Sequence, residues 1–363
     1  MIPRFECSET GLRDGKAYLE EHGYAVFKEV ISKDDIEDAK NLFWDFIEGI
    51  PDRLELDLEG RQWPCREDSK TWENQCWPGD PRTGIFAAYG AGQSPFSWFL
   101  RTRPKVKEVF ASIWETDDLV TSFDGFNAFR PWYNNEKWKT EGGWFHLDQN
   151  PALKPDRECI QGLVSLYDTT AGTGGLTVVP GSHTAFREVW GAEELERLRG
   201  LQRLGGNGDY VHVPEGHRLL GVGGGPRLVA CRAGDLCLWD SRTVHCNQPG
   251  AAGRPAAAGA ADNETQAAAA APGGAAGGGA RRRRGELLRL VSYVCMTPAR
   301  RLRPAVAAAR AQAVAERVST SHWPHECVPS CRPSPAFPEH PWVDPELVAG
   351  RGRRSSMAGC AVM

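Results

Sequence analysis

Trp144-Phe145-His146-Leu147-Asp148 is the stretch on which the reading of this chain turns. In an extended strand, side chains at i and i+2 share a face. Phe145 and Leu147 then point one way, while His146 and Asp148 present an imidazole and a carboxylate on the other. Segments of similar character surround it, at residues 122–129, 162–167, 175–179, 228–231, 235–240 and 287–296. Each is short and bounded by Gly, Pro, Asn or Asp. Many short strands separated by turn residues predict a mainly β protein, an antiparallel sandwich or barrel rather than a parallel sheet.

Helices flank this region. Residues 24–30 read as a strand, and Ser32 then caps a helix, with Asp35 placed to complete a capping box. Ile36, Ala39, Leu42, Phe43 and Phe46 follow at helical spacing and form an apolar stripe that packs on a sheet. Val106 to Trp114 predicts a short helix, and residues 303–319 another. Residues 50–100 carry Trp63, Trp72, Trp77 and Trp98 without a steady period, as an irregular segment that can cover the mouth of a site or simply anchor packing. Residues 250–285 hold Ala and Gly runs ending in Arg281 to Arg284, a low-complexity flexible insertion in which the Ala run can be locally helical. The organisation expected is one domain over residues 1–325, followed by a Pro-rich, partly disordered tail over 326–363.

Composition narrows the function. The chain has 363 residues, 41% hydrophobic and 25% charged, room for one large core or two ordinary ones. Lys plus Arg number 43 against 47 Asp plus Glu, a net charge of -4, so no global attraction to a phosphate polymer exists and nucleic acid is not an expected partner. No stretch has the length and uniform hydrophobicity of a membrane helix, and the N-terminus lacks the apolar core of a secretion signal. With no such signal, the eleven cysteines read as free thiols of a cytoplasmic protein rather than a disulfide scaffold.

His245, far downstream, can close a third vertex beside His146 and Asp148. Two neutral imidazoles and a carboxylate compose the facial triad of non-haem Fe(II), which leaves coordination positions open. An HxD pair alone is a weak signal, because the same pattern arises as a hydrogen-bonded surface pair. Its surroundings are more specific. Trp144 to Asp148, GTGGLTVVPGSH from Gly172 to His183, and GDLCLWDSRTVHCNQP from Gly234 to Pro249 stand in one order. In these three blocks the chain resembles the phytanoyl-CoA dioxygenase-like family of Fe(II)/2-oxoglutarate oxygenases, over most of residues 18–325.

That resemblance implies a double-stranded β-helix, the cupin-like jelly roll, with His146, Asp148 and His245 as iron ligands and catalytic centre. It implies 2-oxoglutarate and O2 as cosubstrates, release of succinate and CO2, and hydroxylation of a C–H bond in a small or lipid-like molecule. The retained carboxylate of Asp148 points to hydroxylation, since related halogenating enzymes lack it. The remote carboxylate of 2-oxoglutarate needs a cation, and arginine's planar fork pairs with both oxygens. The family places such an arginine on the strand after the distal histidine, and Arg289 looks like that residue, on one face with Val291, Tyr293 and Cys295. The departure is spacing: 43 residues separate His245 from Arg289. The excess is close to the low-complexity insertion, which a flexible loop tolerates at small closure entropy. Arg254 and the run Arg281 to Arg284 are the rivals. Asn247, Arg130 and Asn127 are further candidates for cofactor contact, with loop capping an equal reading for Asn247. His183 reads as an entrance residue, Asp240 and Arg242 as ordering groups behind His245, and Trp144 as packing.

Two signals stand outside this scheme. His322, His325, Cys327 and Cys331 can be drawn as a zinc site, although their spacing matches no ordinary structural pattern. Cys360-Ala361-Val362-Met363 fits the C-a-a-X prenylation pattern, behind Arg351, Arg353 and Arg354, with an unmodified tail as the equal reading. Prenylation would make a membrane-associated lipoprotein. The alternatives to a 2-oxoglutarate hydroxylase are a non-catalytic cupin-like binding or scaffold protein and a metal-dependent dioxygenase that does not use 2-oxoglutarate.

Overall fold

A computed structural model describes residues 2–201, 208–251, 286–331 and 340–351. Fourteen strands occur in them. In chain order they are β1 (Arg4–Phe5), β2 (Tyr24–Phe27), β3 (Ile85–Phe86), β4 (Leu119–Thr121), β5 (Phe126–Phe129), β6 (His146–Leu147) and β7 (Ile160–Ser165). They continue with β8 (Gly174–Val178), β9 (Val211–His212), β10 (Arg227–Leu228), β11 (Leu236–Asp240), β12 (His245–Pro249), β13 (Arg289–Tyr293) and β14 (Met296–Pro298). The α-helices are α1 (Glu9–His22), α2 (Lys33–Glu48), α3 (Ile50–Leu54), α4 (Pro95–Arg101), α5 (Pro104–Trp114), α6 (Ser182–Ala185), α7 (Ala192–Gly200), α8 (Pro304–Ala315) and α9 (Pro345–Ala349).

The jelly-roll expectation is corrected here. The strands form three separate sheets within a mixed α/β fold, and none closes into a barrel or double-stranded β-helix. A seven-stranded sheet runs β1-β2-β11-β7-β13-β5-β3, a five-stranded sheet β10-β8-β12-β6-β9, and β14 pairs with β4. Every pairing is antiparallel except β1 with β2. The two larger sheets end in two-residue edge strands, and among the described residues no strand of one pairs with a strand of the other. Turn residues and alternation mark where strands lie, but pairing partners are decided by which long-range ladders bury the most surface.

Alternation explains the layers. In β11, Leu236 and Leu238 join a large core with the helices, whereas Cys237 and Trp239 turn toward the five-stranded sheet. β2 divides likewise, Ala25 and Phe27 against Tyr24 and Val26. From the five-stranded sheet, Leu176 and Val178 of β8 meet them across the gap. That sheet's outer face carries Phe145, Leu147, Val244 and Cys246, covered by Leu198 of α7 and by Phe186 and Trp190. Each large apolar side chain so enclosed contributes about 1.5–3 kcal/mol of transfer free energy.

The early helix forms as its sequence predicts. Asp35 N donates to Ser32 Oγ at 3.0 Å and Ser32 N donates to Asp35 Oδ2 at 3.1 Å, closing the capping box of α2. α1 escaped the pattern reading, although Ser8 caps it through Gly11 N and Gly23 ends it at φ 80°. Within residues 50–100, Trp72 and Trp98 are fully buried anchors, and α4 lies inside the span. Most of 250–285, including Arg254 and Arg281 to Arg284, falls outside the described residues, as does Cys360. Expected membrane association is also corrected: among the described residues no helix is long and apolar enough to cross a membrane. The longest, α2, has sixteen residues, about 24 Å against an apolar bilayer core of about 30 Å.

The described tail packs rather than hangs. Leu347, Val348 and Ala349 of α9 are buried. Just before it, His325 is enclosed near Trp323, its Nδ1 without a partner, and burial pushes its imidazole down to about 4 from an ordinary 6.5. Unfolding restores the ordinary value, so below pH 6.5 the unfolded chain takes up a proton that the native chain refuses. Stability therefore falls as pH drops from 6.5 toward 4, by about 2 kcal/mol at pH 5 from this group alone. Urea unfolding at pH 7 and pH 5 measures it: the loss should be smaller in His325→Gln, and equal losses in both proteins would refute the assignment.

Candidate metal centre

The triad is assembled by register. His245 of β12 sits directly opposite His146 of β6 in an antiparallel ladder, so both imidazoles leave the same face of the five-stranded sheet. Their neighbours Phe145, Leu147, Val244 and Cys246 take the other face. Asp148, two residues beyond His146, completes the group, and one ligand atom from each residue lies within 4.8 Å of the other two. His146 Nε2 is 3.4 Å from Asp148 Oδ1, and His245 Nε2 is 3.2 Å from Oδ2.

The other ring nitrogens are occupied. His146 Nδ1 lies 3.2 Å from the carbonyl of Trp144, and His245 Nδ1 lies 2.9 Å from that of Thr243. A carbonyl only accepts, which assigns the proton to Nδ1 and leaves the Nε2 lone pair turned toward Asp148. Backbone carbonyls that fix the tautomer in this way are what a metal-binding histidine requires. Burial, with the neighbouring His245 ring, holds the His146 imidazole below its ordinary range, so it is neutral and available. Burial alone would raise the Asp148 carboxyl, but the His146, His322 and His245 rings around it hold it well below the usual range. Trp144 and Tyr210 stack on the His146 ring at centroid distances of 5.1 and 4.8 Å. Trp144 therefore packs against the ligand itself.

A cavity of about 270 Å³ opens between the sheets onto the triad, lined also by Gln161, Leu163, Leu176, Asn247, Tyr293 and His322. A larger surface cleft of about 570 Å³, beside the start of α2, contains none of the triad. Arg289 lies behind the triad cavity, 2% exposed. It donates through Nη1 to Asn127 Oδ1, its Nε is buried without a partner, and Tyr293 bonds both it and Asn247. Gly175, at φ 154°, packs so tightly on Thr169 that a Cβ there would sit 2.7 Å from its Cγ2.

Other sequence candidates are distributed differently. Asn127 holds Arg289 and donates to the Thr83 carbonyl at 2.9 Å. Arg130 is not brought to the cavity: it bonds the Trp72 carbonyl and Asn74 and lies over the Trp77 and Trp138 rings, tying down the irregular segment. His183 packs against the turn at Gly23, its Nε2 3.0 Å from the Glu20 carbonyl. Asp240 and Arg242 form an ion-pair cluster with Arg157. His322, His325, Cys327 and Cys331 are not gathered: among the described residues the triad is the one group suited to a metal. Pattern reading passed over Gln161, Tyr210, Trp239 and Asp124, all on the cavity wall. Gln161 carries no motif; only the pairing of the sheets brings it there.

Two histidines with fixed tautomers and a carboxylate, lining one cavity, define the donor set of a non-haem iron protein, and they suit Fe(II) better than a thiolate set would. The chain belongs to the phytanoyl-CoA dioxygenase (PhyH) family, whose model matches residues 19–252. Among curated proteins it is 33% identical over 181 residues to "Ava biosynthesis cluster protein O" of Aspergillus versicolor, covering 49% of this chain and 57% of that protein. It is 27% identical over 209 residues to the "Putative phytanoyl-CoA dioxygenase" of Dictyostelium discoideum, covering 48% and 56%. The match thus spans little more than half of either relative. Of solved structures, the non-heme alpha ketoglutarate dependent carbocyclase SnoK from nogalamycin biosynthesis superposes with a TM-score of 0.44 at 15% identity, over 79% of this chain and 84% of SnoK. EctD from S. alaskensis, with 2-oxoglutarate and 5-hydroxyectoine, gives 0.43 at 14%, over 78% and 75%.

Proposed function

We propose that the protein is an Fe(II)- and 2-oxoglutarate-dependent dioxygenase that hydroxylates a C–H bond of a small or lipid-like molecule. The observation that carries this reading is the cross-strand pair His146 and His245 with Asp148, facing one cavity with their Nε2 atoms free for a metal. His146, Asp148 and His245 would hold the iron, which with 2-oxoglutarate and O2 supplies the oxidising power that no side chain has. The remaining work falls to the chain. Trp144 and Thr243 carbonyls keep the ring protons on Nδ1, and Leu163, Leu176 and Trp239 exclude water. Arg289, buried with an unpaired Nε beside Tyr293 and Asn247, fits the far carboxylate of 2-oxoglutarate. That buried cation favours this reading over a dioxygenase without 2-oxoglutarate and over a binding protein.

Anaerobic titration with Fe(II) and then 2-oxoglutarate tests it, through the visible metal-to-ligand charge-transfer band. The parent should give the band. Arg289→Ala should need about 10- to 150-fold more 2-oxoglutarate, the worth of a hydrogen bond to a charged group. A folded parent that binds Fe(II) without a band overturns the 2-oxoglutarate assignment, and a band untouched by Arg289→Ala overturns that of the arginine.

A further inference from the structure

Asp148 enters the cavity from the five-stranded sheet, yet one of its oxygens is held from the other sheet. Gln161, the second residue of β7, is 5% exposed and donates from Nε2 to Asp148 Oδ2 at 3.0 Å. An ionised carboxylate only accepts, so the amide presents its NH2 there. The residue is held in place by the ladder, in which Trp239 of β11 is its direct partner. Leu163, two residues on, lines the cavity from the same face of β7.

The other polar atoms nearest Asp148 are the Nε2 atoms of His146 and His245. An imidazole nitrogen that binds a metal cannot also donate a hydrogen bond to the carboxylate. With metal present, Gln161 is then the donor, among the side chains bonded to Asp148 here, that still serves Oδ2. An uncharged amide does this without altering the charge of the centre. A carboxylate at 161 would repel Asp148, and a cation would draw electron density from it.

We propose that Gln161 is the positioning residue of the metal centre. It ties Asp148 across the gap between the sheets, engaging Oδ2 with the amide and leaving Oδ1 for the metal. The inference rests on the reading of Asp148 as an iron ligand. It predicts that the distance between the two sheets, through β7, sets the carboxylate's position.

The test compares Gln161→Ala, Gln161→Met and Gln161→Glu with the parent, with anaerobic Fe(II) affinity and the position of the 2-oxoglutarate charge-transfer band as readouts. Thermal melting of the metal-free proteins monitors the fold. Gln161→Ala and Gln161→Met should both bind Fe(II) about 10- to 100-fold more weakly, the usual effect of removing a partner that orients a metal ligand. Their bands should move to longer wavelength, because a carboxylate freed of its hydrogen bond donates more strongly to iron. Gln161→Glu should lose at least as much affinity. Gln161→Met fills the volume without donating, so parental affinity and band in that variant would reduce the residue to packing and overturn the proposal. Parental behaviour in Gln161→Ala would do the same. A parent that gives neither Fe(II) binding nor a band would remove the underlying functional reading and this inference with it, whereas an intact parental band with unaffected variants removes this inference alone.

Discussion

Asp148→Ala is expected to weaken Fe(II) binding more than about a hundredfold, beyond the range for groups that merely orient a ligand, and to abolish the charge-transfer band. It removes the sole anionic donor of the triad and leaves two neutral imidazoles. The fold should survive. Asp148 lies beyond the last residue of β6, and its side-chain contacts are with Gln161 and the triad imidazoles rather than with the core ladders. The separation is measurable by melting. A ligand at about a hundred times its Kd stabilises the native state by about 2.7 kcal/mol, so Fe(II) should raise the melting temperature of the parent and leave that of Asp148→Ala unmoved. An Fe(II)-dependent rise of equal size in the variant would place the iron elsewhere.

Arg310→Ala carries the largest expected loss of stability. Its guanidinium is fully buried in α8 and bonds four carbonyls, those of Val348 at 2.7 Å, Pro324 at 2.5 Å, Thr121 at 2.6 Å and Leu347 at 3.0 Å. It also lies 4.4 Å over the Phe123 ring. Burial without a carboxylate partner pushes this arginine down to about 9. The residue thus joins α8, α9 and β4 with the segment that carries His322 to the cavity. Truncation would strand the four carbonyls and open a cavity, at a cost of about 3–5 kcal/mol. Arg310→Met restores much of the volume but none of the donors. Urea unfolding should therefore show most of the loss in Arg310→Met as well, and a methionine variant as stable as the parent would make the role packing alone.

Much of the site was legible because chemistry and local periodicity coincide in it. The i, i+2 rule turned His146 and Asp148 from Phe145 and Leu147, and the structure has this division. The strand of Arg289 emerged from residues 287–296 despite the long interval before it, and observed β13 spans Arg289–Tyr293. The α2 capping box is a contact between residues three apart, which sequence displays directly. Arg130 shows where such reasoning stops. It occupies the expected strand end, but its guanidinium turns to Trp72 and Asn74, and no local pattern encodes that choice.

By itself the sequence determined the shared face of His146 and Asp148 and three of the helices that flank the β region, α2, α5 and α8. Those properties follow from side-chain chemistry and from periods of two and 3.6 residues, all local. Only the tertiary structure decided that the strands form three sheets rather than a closed double-stranded β-helix, that His245 stands opposite His146, and that Gln161 reaches Asp148 from the facing sheet. Partner and register depend on burial summed over residues far apart in the chain. Many pairings satisfy the same alternation, and packing selects among them.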